Sequence, residues 1–133
     1  MTTPNNFPKI FQLLQDLIST QSFSREEENA AKVVRDFLSS EGISFETRMN
    51  NTWAFNRHFD SNKPTLLLNS HIDTVKPSAL WTKDPFTPII EDGKLFGLGS
   101  NDAGGALVSL IGTFIHFYPL ENLPFNICIA ATA

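Results

Sequence analysis

Cysteine is nearly absent from this chain of 133 residues. The one copy, Cys128, cannot form an internal disulfide. It lies in an apolar run and reads as a buried core thiol. Positive charge is also scarce. The net charge is −4 and no basic block occurs, which argues against nucleic acid as the main partner. No window reaches the ~18 uninterrupted apolar residues of a membrane span, so no membrane partner is expected. The first residues carry neither a charged n-region nor an apolar h-region, so no secretory leader is expected. A reducing cytoplasm is the default location. Repeats and low-complexity segments are missing. So is a nucleophile elbow: Ser70 adjoins His71 without the flanking glycines. Cys128 has no neighbouring cation in sequence to lower its pKa. Covalent catalysis therefore leaves no mark here.

What is present is an α/β alternation. Over residues 7–19, Ile10, Leu13, Leu14 and Leu17 share one helix face, with Pro8 in the first turn. Ser24 and Glu27 have the spacing of a capping box, with Ser24 as N-cap. Behind them Ala30, Val33, Val34, Phe37 and Leu38 form a second helical stripe, which Gly42 closes. Ile43, Phe45, Thr47 and Met49 alternate with polar residues and predict a half-buried strand. A short strand is expected over 53–56. Residues 65–70 are continuously apolar at their centre and predict a strand covered on both faces. Residues 86–90 and 94–96 flank Glu91-Asp92-Gly93 as a hairpin. Residues 104–117 read as a helix apolar nearly all round, hence buried. Residues 125–131 read as a second two-sided strand. The order points to an α/β fold with a mixed sheet in one domain.

Chemistry concentrates at two places. The strand Leu66-Leu67-Leu68-Asn69-Ser70 ends in His71-Ile72-Asp73, and residues i and i+2 of an extended chain point the same way. A carboxylate there can take the proton of one ring nitrogen and leave the other free for a metal. The second place is Gly97-Leu98-Gly99-Ser100-Asn101-Asp102, ahead of the 104–117 helix. It lacks the third glycine of a dinucleotide loop and no P-loop lysine follows. An acidic residue there would repel phosphate, so a cation fits better. Helix capping by Asp102 or Asn101 is the competing reading. One imidazole and carboxylates from separate strand ends suit Zn²⁺ or a similar cation but do not complete a site. His58, in a polar loop, and His116, late on a helix among aromatics, are weaker candidates.

At His71-Ile72-Asp73-Thr74-Val75 and Gly97-Leu98-Gly99-Ser100-Asn101-Asp102 the chain resembles the M20 family of metallopeptidases and deacylases. Trp81-Thr82-Lys83-Asp84-Pro85-Phe86 and Asp92-Gly93-Lys94-Leu95-Phe96-Gly97 extend the likeness, which covers essentially the whole chain. Within the family, the acetylornithine deacetylase-like branch looks most similar. The resemblance implies a mixed-sheet, zinc-exopeptidase-like catalytic domain, with residues 1–133 as its amino-terminal part. It implies that His71 ligates one metal, that Asp73 acts in catalysis by holding the His71 ring, and that Asp102 bridges two metals. It also implies a cis peptide between Asp102 and Ala103. Two divalent ions, zinc foremost and cobalt possible, would acidify a shared water and polarise an amide carbonyl.

The implied reaction is hydrolysis of a small N-acyl amino acid such as N-acetylornithine. A dipeptidase or carboxypeptidase of the same family is the rival, and a non-catalytic interaction module is another. The chain departs from the family pattern in two ways. It shows no Glu-Glu pair after Ala131-Thr132-Ala133, and no lysine beside Gly104-Gly105. The expectation is a domain truncated before its completion and inactive alone. The lid domain that commonly dimerises would be missing, and the full-length protein would be a homodimer. An uncovered sheet face should then leave apolar surface exposed and favour self-association.

Overall fold

The computed structural model describes residues 6–133. The reading of the first five residues as lacking a leader lies outside them. Helix α1 spans Phe7–Ile18 and α2 spans Glu28–Ser40. Strands β1 (Glu46–Arg48), β2 (Asn51–Phe55) and β3 (Thr65–His71) follow, then β4 (Ile89–Glu91) and β5 (Lys94–Phe96). Helix α3 spans Gly105–Phe117 and β6 spans Asn126–Thr132. The main sheet has the order β1-β2-β6-β3. Strand β6 is antiparallel to β2 and parallel to β3, so the sheet is mixed. Strands β4 and β5 form a separate hairpin through Asp92 and Gly93, both at positive φ.

The core follows from side-chain alternation. Ile127, Ile129 and Ala131 of β6, with Ala54 and the partly buried Leu68, share one cluster with Leu13, Val34, Leu107, Ile111 and Phe114. The buried stripes of α1, α2 and α3 supply the helical half. Trp53, Phe55, Leu67, Cys128 and Ala130 lie outside that cluster. Gly42 takes φ 69 and ends α2 as its position predicts.

Several expectations need correction. Strand β3 is not covered on both faces. It is a sheet edge, with Leu66 and Leu67 at 50 % and 58 % exposure. Its apolar run demands cover that the described residues do not provide. Helix α3 is buried on one stripe only. Ile115 is half-buried, Ser109 is exposed, and both border an open apolar groove shared with Phe7 and Phe11. The strand expected from Ile43 to Met49 shrinks to β1, because Met49 turns at φ 54 with its side chain in solvent. Ser24 does not cap α2. Glu27 occupies the N-cap position, and Arg25 takes φ 77.

Candidate metal-binding site

The site forms where β3 ends and the turn before α3 begins. Strand β3 is held to β6 in parallel register over its whole length, from Thr65 opposite Asn126 to His71 opposite Thr132. One residue on, the Ile72 N–H donates to the Thr132 carbonyl at 2.8 Å. Ile72 enters the core at 6 % exposure. Alternation therefore sends His71 out to the opposite side.

The second element is the wide turn Ser100–Gly104, whose backbone is non-helical at Asp102 and Ala103. The Asp102–Ala103 peptide is cis, as the resemblance implies. Glycine is required nearby for two separate reasons. Gly99 takes φ 76, and a Cβ there would stand 2.7 Å from Thr74 Cγ2. The Gly104 N–H donates to the Gly99 carbonyl at 2.8 Å, and a Cβ on Gly104 would come within 2.6 Å of that oxygen. The turn closes against the exit of β3 and brings Asp102 to His71.

The structure joins the three predicted residues. His71 Nδ1 lies 3.0 Å from the Asp73 carbonyl oxygen and 3.0 Å from Asp73 Oδ1. His71 Nε2 lies 3.1 Å from Asp102 Oδ1. Asp73 is partly buried, whereas the Asp102 side chain is 90 % exposed and free to turn toward a ligand. Desolvation pulls the His71 pKa down, but hydrogen bonds to the Asp73 backbone and the Asp102 carboxylate, with the charges of both residues, raise it above its ordinary value.

Oxygen acceptors thus face both ring nitrogens. A neutral imidazole can donate to only one of them. With the proton on Nδ1 toward Asp73, the Nε2 lone pair opposes a carboxylate oxygen, and a cation between the two relieves that opposition. The donor types fit a zinc-like divalent ion. The number is short: among the described residues no three His, Cys, Asp or Glu side chains are grouped to hold a metal. His58 faces Glu121 at 4.0 Å, and His116 packs edge-on against Phe117. Neither lines the small cavity under His71. That cavity, about 20 Å³, lies among His71, Asp73, Thr74, Gly99 and Gly104. It is large enough for one water. The Thr74 hydroxyl oxygen is buried without a hydrogen-bond partner among the described residues.

One participant escaped the sequence reading. The Ser24 hydroxyl donates to Asp73 Oδ2, 49 residues away along the chain. The only sequence signal was a serine three residues before a glutamate, which points to helix capping instead.

Comparison with known families matches residues 67–133, just over half of the chain, to Peptidase family M20/M25/M40. The chain belongs to that family. A succinyl-diaminopimelate desuccinylase from Blochmanniella floridana is 31 % identical over 120 residues, covering 83 % of this chain and 31 % of the relative. The chain thus spans about a third of the length of the curated relatives it matches. Among solved M20-type structures, a metallo-carboxypeptidase from Sulfolobus solfataricus superposes with a TM-score of 0.77 at 18 % identity. That match covers 93 % of this chain and 30 % of the other. A dinuclear metal binding peptidase from Bacillus subtilis gives 0.66 at 17 %, over 93 % and 34 %. These two likenesses establish the M20 fold. Eight curated relatives carry the desuccinylase name, so the narrower acetylornithine deacetylase expectation finds no support in them.

Proposed function

We propose that residues 1–133 form the amino-terminal, cation-binding part of an M20 amidohydrolase that removes an acyl group, succinyl first among candidates, from an N-acyl amino acid. The observation that carries this reading is the convergence of His71 Nε2 and Asp102 Oδ1 at 3.1 Å, with Asp73 behind the ring. In it, His71 would hold one of a pair of divalent ions and Asp102 would be shared by both. Bound there, such ions supply an acidified water and polarise the scissile carbonyl. Asp73 keeps the ring proton on Nδ1, so Nε2 presents its lone pair to the site. The exposed Asp102 carboxylate is free to turn toward either ion. No glutamate lines the cavity at His71, so the proton shuttle must come from residues other than those lining it.

Two experiments test this. Zinc or cobalt added to the full chain should shift the backbone resonances of His71 and of residues 102–104, and His71→Ala should abolish those shifts. A wild-type chain with no such shifts would sink the metal assignment. For substrate class, residues 1–133 can replace the matching third of the Blochmanniella desuccinylase. The hybrid should cleave N-succinyl and N-acetyl amino acids in preference to dipeptides. Preferential dipeptide cleavage would move the assignment to the peptidase side of the family.

A further inference from the structure

Ser24 sits in the connector between α1 and α2, remote in sequence from both halves of the site. Its hydroxyl donates to Asp73 Oδ2, which leaves Oδ1 as the oxygen facing His71 Nδ1 at 3.0 Å. The connector is fastened at both ends. On one side Ser22 accepts the Thr74 N–H at 2.8 Å, and Phe23 bridges to Thr74 in parallel. On the other, Arg25 adopts φ 77 and donates its N–H to Glu27 Oε1. Glu27 is 5 % exposed, and its Oε2 accepts from Asn50 Nδ2 at 3.1 Å. A buried carboxylate is costly unless its oxygens are hydrogen-bonded. Here both oxygens are used, one to shape the backbone beside Ser24 and one to tie that turn to the loop after β1.

We propose that Ser24 is a positioning residue that acts through Asp73. A carboxylate with one oxygen fixed by a hydroxyl has a single orientation toward the ring. Without the hydroxyl the carboxylate rotates and Nδ1 keeps only the Asp73 backbone carbonyl at 3.0 Å. The preference for Nδ1–H weakens, and a larger share of the ring proton moves to Nε2, where it blocks ligation. The chain Glu27, Arg25 N–H, Ser24, Asp73, His71 thus runs from the start of α2 to the nitrogen that faces Asp102. This rests on the reading above that His71 ligates through Nε2.

The test uses the full chain with ¹⁵N-labelled histidine, metal-free, well above the ordinary imidazole titration range. Long-range ¹H–¹⁵N spectra should show His71 mainly as the Nδ1–H tautomer. Ser24→Ala should raise the Nε2–H population and weaken zinc binding by roughly 10-fold, the lower end for outer partners of a metal ligand. Ser24→Thr, which keeps the hydroxyl, should restore both. Ser24 is exposed, so the alanine variant leaves the core intact, and the amide spectrum checks this. Unchanged tautomer and unchanged zinc affinity in Ser24→Ala would overturn the proposal. So would a Ser24→Thr variant that behaves like alanine. If the wild-type chain binds no zinc but the tautomer still shifts in Ser24→Ala, the metal reading fails while the positioning role stands.

Discussion

Strands β3 and β6 lie side by side in parallel register, and both are written as apolar runs. Their fates differ. Ile127 and Ile129 of β6 are 2 % exposed, while Leu66 and Leu67 of β3 stand half in solvent. The difference is one of position: β6 has a strand on each side and β3 has one. An apolar run reports how much cover a strand requires. It does not report which neighbour supplies it. The asymmetry also separates two jobs. Strand β6 carries stability, while β3 carries the histidine at its end.

The comparison breaks first under core truncation. Ile129→Ala should cost ~2–5 kcal/mol, as buried aliphatic truncations do, read from urea unfolding. Leu67→Lys should stay within ~0.5 kcal/mol, as exposed substitutions do, and should lower any concentration-dependent self-association in sedimentation. Equal losses at the two positions would mean that β3 is as covered as β6.

A middle-sized effect should come from Asn126, which starts β6 at 1 % exposure. Its Oδ1 accepts the Asp60 N–H at 2.9 Å, and its Nδ2 donates to the carbonyls of Asp60 and Lys63 at 2.8 and 3.2 Å. This amide ties the connector ahead of β3 to β6. Asn126→Leu strands those backbone groups and should cost ~1–3 kcal/mol, with faster hydrogen exchange at Asp60. Unchanged exchange there would show that strand pairing alone holds the connector.

The smallest effect concerns Cys128, which pairs with Leu67 in register yet is 7 % exposed. Burial pushes its thiol pKa up, and the Glu46 charge pushes it further. A raised pKa means less thiolate at a given pH, so alkylation near neutrality should be slow and should speed up as pH rises. Glu46→Gln should accelerate it only slightly. Alkylation as fast as in denaturant would mean that this side of β6 is open.

These contrasts show what the residues disclose. The stripes of α1 and α2, the Asp92–Gly93 hairpin and the burial of Cys128 are local patterns, and they survive folding. The pairing of His71 with Asp73 is local too, since i and i+2 share a side. The nearness of Asp102 to His71 is not local: the turn at Gly99–Gly104 brings them within 3.1 Å, and no spacing along the chain encodes it. The edge position of β3 is a property of the sheet order, which no window of residues encodes. Ser24 misleads for another reason. Its spacing to Glu27 fits a cap, but Arg25 takes positive φ and the hydroxyl donates to Asp73, a partner that tertiary structure alone brings near.

His71 and Ile72 are consecutive, and one is aimed by the other. The isoleucine has its seat in the core, and the ladder to Thr132 fixes where along the strand that seat falls. Packing therefore serves as the gauge for the histidine. Gain or loss of a single residue within β3 would exchange their sides, carrying the imidazole into hydrocarbon and the isoleucine into water. Such a change alters no side chain of the site, yet it would erase it. From Thr65 to Asp73 the spacing itself is the message.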